Sequence, residues 1–227
     1  MTRRRVSNPL ALAVLGCLAE RPMHPYEMST TMRERGKHES IKLNYGSLYS
    51  VVESLQKHGL ITSRETTREG RRPERTVYEI TDSGVEEFED WLAELISTPV
   101  RDYTSLEAGH SLMPGRPPDE VARLLDDRAV KLRSEMRAID ANHAEAESLG
   151  LPDLFLVESL FRRRMLDAEL DFVNTLAKEI RTSSFPGTLE WRRLHELRAD
   201  GLSFEQIMSD PVAHLGEGAR VLAQRQD

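Results

Sequence analysis

The apolar spacing changes twice within the first hundred residues, and that change restricts the fold more than any other feature. Up to residue 59 it is helical. Leu10, Val14, Leu15, Cys17 and Leu18 recur on one face behind Asn8, an N-capping type, and Pro9, suited to a first helical position. A second helix is predicted from Pro25 to near Gly36, with Tyr26, Met28 and Met32 as apolar contacts. A third begins behind Asn44, carries Leu48, Val51, Val52 and Leu55, and stops at Gly59, well placed for a left-handed C′ position. Residues 37–43 read as a short loop. The period then shortens: residues 60–67 and 75–80 read as strands, with Thr76, Tyr78 and Ile80 on one face, and Gly70 and Pro73 serve the turn between them. Thr81 or Ser83 caps a fourth helix with Val85, Phe88, Leu92 and Leu95 as its stripe, running into Pro99. Three helices, a hairpin and a helix make a winged helix-turn-helix.

That arrangement implies DNA binding, because a recognition helix enters the major groove through its N-terminal residues. Here those are Asn44-Tyr45-Gly46-Ser47-Leu48-Tyr49. Gly46 and Ser47 allow close backbone approach, and Tyr45, Ser47 and Tyr49 offer hydroxyls to phosphates or base edges. Tyr49 fits a core aromatic equally well, since it lies one turn from Tyr45. The wing brings Arg68, Arg71, Arg72 and Arg75 into eight residues, suited to a phosphate backbone or a narrow minor groove. Such a turn is often only a solvated loop; the helix order and the local charge favour DNA. The net charge of −7 argues against a nucleic-acid partner, but it is unevenly spread. Residues 1–82 carry 14 Lys and Arg against 10 Asp and Glu, a net of +4, and the remainder carries −11.

These residues resemble the PadR family of bacterial transcriptional regulators over about residues 8–97. The match is an ordered set: Asn8-Pro9-Leu10 with Val14-Leu15-Gly16, His24-Pro25-Tyr26-Glu27-Met28, Gly46-Ser47-Leu48-Tyr49, Leu55-Gln56-Lys57-His58-Gly59-Leu60-Ile61, Gly70-Arg71-Arg72-Pro73 and Tyr78-Glu79-Ile80-Thr81-Asp82-Ser83-Gly84. Pro25 replaces the usual glycine, which suits a helix start. The resemblance implies a dimeric winged-helix regulator with Tyr26, Tyr45, Ser47, Tyr49 and the wing tip facing DNA. Some shorter relatives hold flat aromatic compounds between subunits. That makes Trp91, one turn after Phe88, a candidate for an aromatic effector, although packing between domains explains it more simply.

Beyond residue 101 the chain reads as nearly all helix. A long helix after Pro117-Pro118 runs to about Ser148. Leu125, Leu132, Ile139 and Ala146 recur every seven residues, and Ala129, Met136 and His143 follow four residues after the first three. A turn at Gly150-Leu151-Pro152 leads to a second long helix, from Asp153 to about Arg181. This helix has two apolar faces: Val157, Phe161, Met165, Ala168, Phe172, Leu176 and Ile180 on one, and Leu156, Leu160, Leu166, Leu170 and Val173 on the other. A hairpin covers only one, so a homodimer is expected, with Leu156, Leu160, Phe161, Leu166, Leu170 and Val173 as its contacts; the alternative is a monomer with residues 185–227 packed on that face. The hairpin resembles the C-terminal dimerisation domain of longer PadR-type members and of virulence activators. Residues 183–227 extend past that pattern; Ser203 and Gln206 match a capping box there.

The sequence therefore predicts a mainly α (α+β) chain. Residues 1–98 form a winged helix-turn-helix, 99–182 a helical dimerisation domain and 183–227 a helical extension. Double-stranded operator DNA and a second copy are the expected partners. The seven histidines include no i, i+4 pair, and no nucleotide-binding or catalytic motif occurs, so neither metal, cofactor nor enzymatic activity is expected. Residues 1–17 superficially suit a secretory signal, but the apolar run continues into a helical domain, and the single cysteine fits a reducing, cytoplasmic setting.

Overall fold

The computed structural model describes residues 6, 8–67 and 75–223. The chain divides into two compact units, Met1–Arg101 and Asp102–Asp227.

The first unit contains α1 (Pro9–Glu20), α2 (Pro25–Glu34), α3 (Tyr45–Lys57), β1 (Ile61–Thr67), β2 (Arg75–Ile80) and α4 (Asp82–Ser97). Asn8 Oδ1 accepts the Leu10 N–H at 2.9 Å, and Pro9 opens α1. The apolar run of α1 is core: Leu10, Ala11, Val14, Leu15 and Leu18 are almost wholly buried against α2, α3 and α4. Among the described residues no helix is long and apolar enough to cross a membrane. The cap of α2 is one the sequence did not betray. His24 Nδ1 accepts the Tyr26 N–H at 3.0 Å, and Glu27 Oε2 returns to the His24 N–H at 2.8 Å. Histidine takes here the place usually given to Ser, Thr, Asp or Asn. The expected loop after Gly36 contains one 3₁₀ turn, Lys37–Glu39.

β1 and β2 pair antiparallel from Ile61↔Ile80 to Thr67↔Arg75, with Arg64 extra at a bulge. Met23 exchanges two 3.0 Å backbone hydrogen bonds with Tyr78, covering the other edge of β2. The root of this hairpin is held at one residue. Thr81 Oγ1 donates to Gly59 O at 2.7 Å and accepts the Gly84 N–H at 3.1 Å, while the Thr81 N–H donates to Leu60 O. Thr81, not Ser83, caps α4. Gly59 takes the left-handed conformation (φ 73°) expected after α3. The stripe of α4 lies one step from the predicted one. Phe88 and Trp91 face the core, whereas Leu92 and Leu95 are exposed.

The second unit contains α5 (Ser105–Ser111), α6 (Pro118–Ser148), α7 (Val157–Arg181), α8 (Thr188–Ala199), α9 (Phe204–Ser209), α10 (Pro211–Leu215) and α11 (Arg220–Ala223). The predicted start at Asp153 is a 3₁₀ turn, Asp153–Leu156, and α7 proper begins at Val157. α6 and α7 form an antiparallel hairpin. Leu125, Ala129, Leu132, Met136 and Ala146 of the predicted seam are buried. Ion pairs flank it: Arg128 with Glu169, Arg162 with Glu135, Arg163 with Asp140 at 2.8 Å and Arg181 with Asp126. Such half-exposed pairs add little stability each, and they mark which helix meets which.

The two faces of α7 divide differently from the expectation. Val173 is wholly buried in the hairpin's own core with Leu176, Ala177 and Ile180, and Leu166 and Leu170 pack against it. Val173 is therefore unavailable to a second copy, and Leu166 and Leu170 are largely committed to their own chain. Leu156 and Leu160 are partly buried, while Phe161 lies on an open stripe with Val157, Met165, Ala168 and Phe172. The extension belongs to the same compact unit as the hairpin. Trp191 of α8 inserts into the hairpin core, and its Nε1–H donates to Arg116 O at 2.8 Å. Leu197, Ile207, Leu215 and Ala219 form a small core beyond it. The Ser203–Gln206 capping box is present.

Candidate nucleic-acid interface

α3 projects its first turn from the helical core of the first unit. Leu48, Val51, Val52 and Leu55 are buried and anchor one face. Ser47, Tyr49, Ser50 and Glu53 remain on the other face, exposed. Asn44 Oδ1 accepts the Gly46 N–H at 3.0 Å. The cap uses one of the two lone pairs of Asn44 Oδ1 and leaves its amide N–H groups for a DNA contact as donor. An added Cβ at Gly46 would meet only Asn44 Oδ1, at 3.6 Å, an ordinary contact. Nothing among the described residues calls for the glycine.

Tyr49 is 47% exposed, which settles its placement away from the core. It sits close enough to Tyr78 that, after burial and Glu53, it helps push the Tyr78 phenol above its ordinary pKa. Tyr26 is 56% exposed at the start of α2. A shallow, largely polar depression gathers Asn44, Gly46 and Ser47 with Asn8, Ser50 and Ser54. Tyr26 and Tyr49 lie outside its lining. Ser50 and Ser54, which the sequence reading passed over, follow Ser47 along α3. Their signal was available as small polar residues one turn apart behind a capped glycine. The Ser50 hydroxyl already donates to Gly46 O at 3.1 Å.

The wing is described only at its base. Arg68, Arg71 and Arg72 lie outside the described residues; Arg75 pairs with Thr67 at the end of the ladder. Arg64, at the bulge, approaches Glu79 at 3.7 Å and is exposed. Tyr45 opens α3.

Trp91 does not present a ligand face. It is 5% exposed and packs in the winged-helix core, so its ring is occupied by its own chain. Cys17 is likewise buried, and burial pushes its thiol up, away from the reactive thiolate. Among the described residues no group of three His, Cys, Asp or Glu side chains is arranged to hold a metal.

Residues 14–90 match the model of the transcriptional regulator PadR-like family. The chain is 27% identical over 174 residues to the negative transcriptional regulator PadR of Bacillus subtilis (strain 168), a match covering 74% of this chain and 93% of that protein. In three dimensions it is similar to Bacillus subtilis PadR in complex with operator DNA, with a TM-score of 0.55 at 22% identity over 73% of this chain and 99% of the other. It is also similar to the same regulator with p-coumaric acid, with a TM-score of 0.57 at 20% identity over 75% of this chain and 99% of the other. At these identities the structural likeness carries the fold. Set on a winged-helix frame, the ordered motifs make residues 14–90 similar to the transcriptional regulator PadR-like family.

Proposed function

We propose that the chain represses transcription as a homodimer bound to an inverted-repeat operator, and that a small effector controls it. The observation that carries the DNA reading is the first turn of α3. It holds a capped Asn44, a glycine that the chain itself does not need, and the exposed Ser47 and Tyr49. These are the requirements for a helix end that meets a duplex. In this reading Tyr26, Asn44, Tyr45, Ser47 and Tyr49 contact the major groove and its phosphates, and Arg68, Arg71, Arg72 and Arg75 follow the backbone beside it. The relatives named above support the partners: one is bound to operator DNA and one to p-coumaric acid.

The open stripe of α7 supports self-association. Val157, Phe161, Met165, Ala168 and Phe172 form a continuous exposed apolar face on a helix whose other side is already packed. The hairpin is then the dimerisation domain, of the type found in virulence activators, with Phe161 at the interface in place of Val173. A two-fold axis through it would give the paired recognition helices an inverted repeat requires.

The test is a titration of the purified chain against the region upstream of its own gene, repeated across salt concentrations. A specific complex with two chains per site is expected. Replacing Arg71 and Arg72 by Ala should weaken it broadly and reduce the salt slope by about one unit per lost phosphate contact. No specific complex from an intact dimer would instead favour an interaction or ligand-sensing module.

A further inference from the structure

The second unit holds a cavity of about 470 Å³ between the segment around α5 and the first half of α6. That size suits a small organic ligand. Its apolar wall is aliphatic: Leu106, Leu112, Met113, Val121, Leu124 and Leu125. The only ring among the lining residues is the imidazole of His110.

The polar side of the cavity is asymmetric. Asp127 is held by Arg123 at 3.0 Å, Arg116 by Glu120 at 2.6 Å, and Arg128 by Glu169. Lys131 lines the cavity, is exposed, and has no ion pair among the described residues. His110 Nε2 is buried and without a hydrogen-bond partner there. Its ring lies 5.3 Å from Phe172. Burial first, and then the Arg128 charge, hold the imidazole below its ordinary pKa, so it is neutral at pH 7. A neutral imidazole adds no charge to this wall and its buried Nε2 is out of a ligand's reach, so the open charge on this side is that of Lys131.

The wall is also held in place. Trp191 Nε1–H donates to Arg116 O at 2.8 Å, and His195 Nε2 lies 2.9 Å from Pro114 O. α8 thus fixes the segment from Met113 to Arg116, and the cavity is preformed rather than made by a ligand.

We propose that this cavity binds an aliphatic organic acid, with its carboxylate toward Lys131 and its alkyl chain along Leu106, Leu112 and Leu124. An unpaired ammonium selects an anion, and an aliphatic wall selects an alkyl body. The inference does not rest on the DNA-binding reading, because binding is measured on the protein alone; either can fail without the other.

The test is isothermal titration of the full chain with sodium octanoate, with 1-octanol and p-coumarate as comparators. Lys131 and Leu124 are both exposed, so Lys131→Glu and Leu124→Glu should leave the melting temperature unchanged, which is measured alongside. Saturable binding of one octanoate per chain is expected. Each of the two variants should weaken it by about tenfold or more, since one reverses the charge and the other places a charge on the apolar wall. Lys178→Glu, an exposed change on α7, should leave it unchanged. Four results overturn the proposal: no saturable heat with octanoate, equal affinity for 1-octanol, tighter binding of p-coumarate, or octanoate affinity unaffected by Lys131→Glu.

Discussion

Gly46 separates what the fold requires from what a partner requires, and Gly46→Ala tests the separation. The substitution adds one methyl group in the first turn of α3. Its nearest neighbour outside the local backbone would be Asn44 Oδ1 at 3.6 Å, so no atom needs to move, and Gly46 is not among the positive-φ residues. Alanine costs the unfolded chain conformational freedom and favours a helix, which should stabilise the first unit by about 0.5–1 kcal/mol. For a unit of this size that raises the melting temperature by roughly 2–8 °C. DNA binding should move the other way. If the duplex backbone lies against this turn, an inserted methyl group costs about 1–3 kcal/mol, as in an overpacked interior. That is roughly a five- to 150-fold loss of affinity. The assay is a thermal melt beside a fluorescence-anisotropy titration with the same preparation. Unchanged operator affinity would remove Gly46 from the interface, and a fall in melting temperature would refute the local geometry. Only a gain of stability with a loss of binding fits both.

Gly84 is the opposite case: an added Cβ would sit 2.0 Å from Leu60 O and 2.7 Å from Ile80 Cγ1. Leu60 O is held by the Thr81 N–H, so Gly84→Ala should cost about 3 kcal/mol or more, and a melt lowered by less than about 4 °C would contradict the close approach. Replacing Phe161 and Met165 together by Glu should shift the protein from dimer to monomer in sedimentation while leaving its helical circular dichroism intact; a persistent dimer would place the interface elsewhere. His110 is held neutral in the folded chain and takes a proton more readily once unfolded. Its contribution is therefore present above the unfolded pKa of about 6.5 and lost as pH falls below it, so wild type should lose more stability between pH 7.5 and 5.5 than His110→Gln. Parallel losses in the two proteins would refute this.

Where one signal dominated, the sequence was legible. The period change at Gly59 survives in the structure because Gly59 alone supplies the left-handed turn between α3 and the hairpin. Asn8, Pro9 and Asn44 sit where the caps were expected. The sequence left the answer open, or misled, where two local solutions were equally good. Thr81 and Ser83 both offer a hydroxyl at the start of α4, and Thr81 prevails because it also reaches Gly59 O across the hairpin root, a contact 22 residues away in sequence. Leu92 and Trp91 are adjacent, and the buried side of α4 was chosen by Gly16, which gives Phe88 a place to pack against α1. An added Cβ at Gly16 would meet the Phe88 ring at 3.3 Å, so the bare backbone there eases that packing.

The buried side of α7 was misread for a deeper reason, and the sequence contained the means to correct it. A helix with apolar residues on both sides does not say which side its own chain will cover. The seam on α6 does, once the register of the hairpin is known. His143 Nε2 and Ser159 Oγ lie 2.6 Å apart within the hairpin, and Ser159 donates onward to Leu156 O, so His143 is the donor of that pair. A single polar position in an apolar seam fixes register, because any slip would leave it without its partner. Counting back antiparallel from this bond places Met136 opposite Leu166, Leu132 opposite Leu170, Ala129 opposite Val173 and Leu125 opposite Ala177. The buried core of the hairpin contains all of these but Met136, with Leu166 and Leu170 at its edge. What register counting leaves over on α7 is the stripe from Val157 through Phe161, Met165 and Ala168 to Phe172. The residue that sets the register of the hairpin, His143, thereby also determines which apolar face of α7 its own chain leaves open.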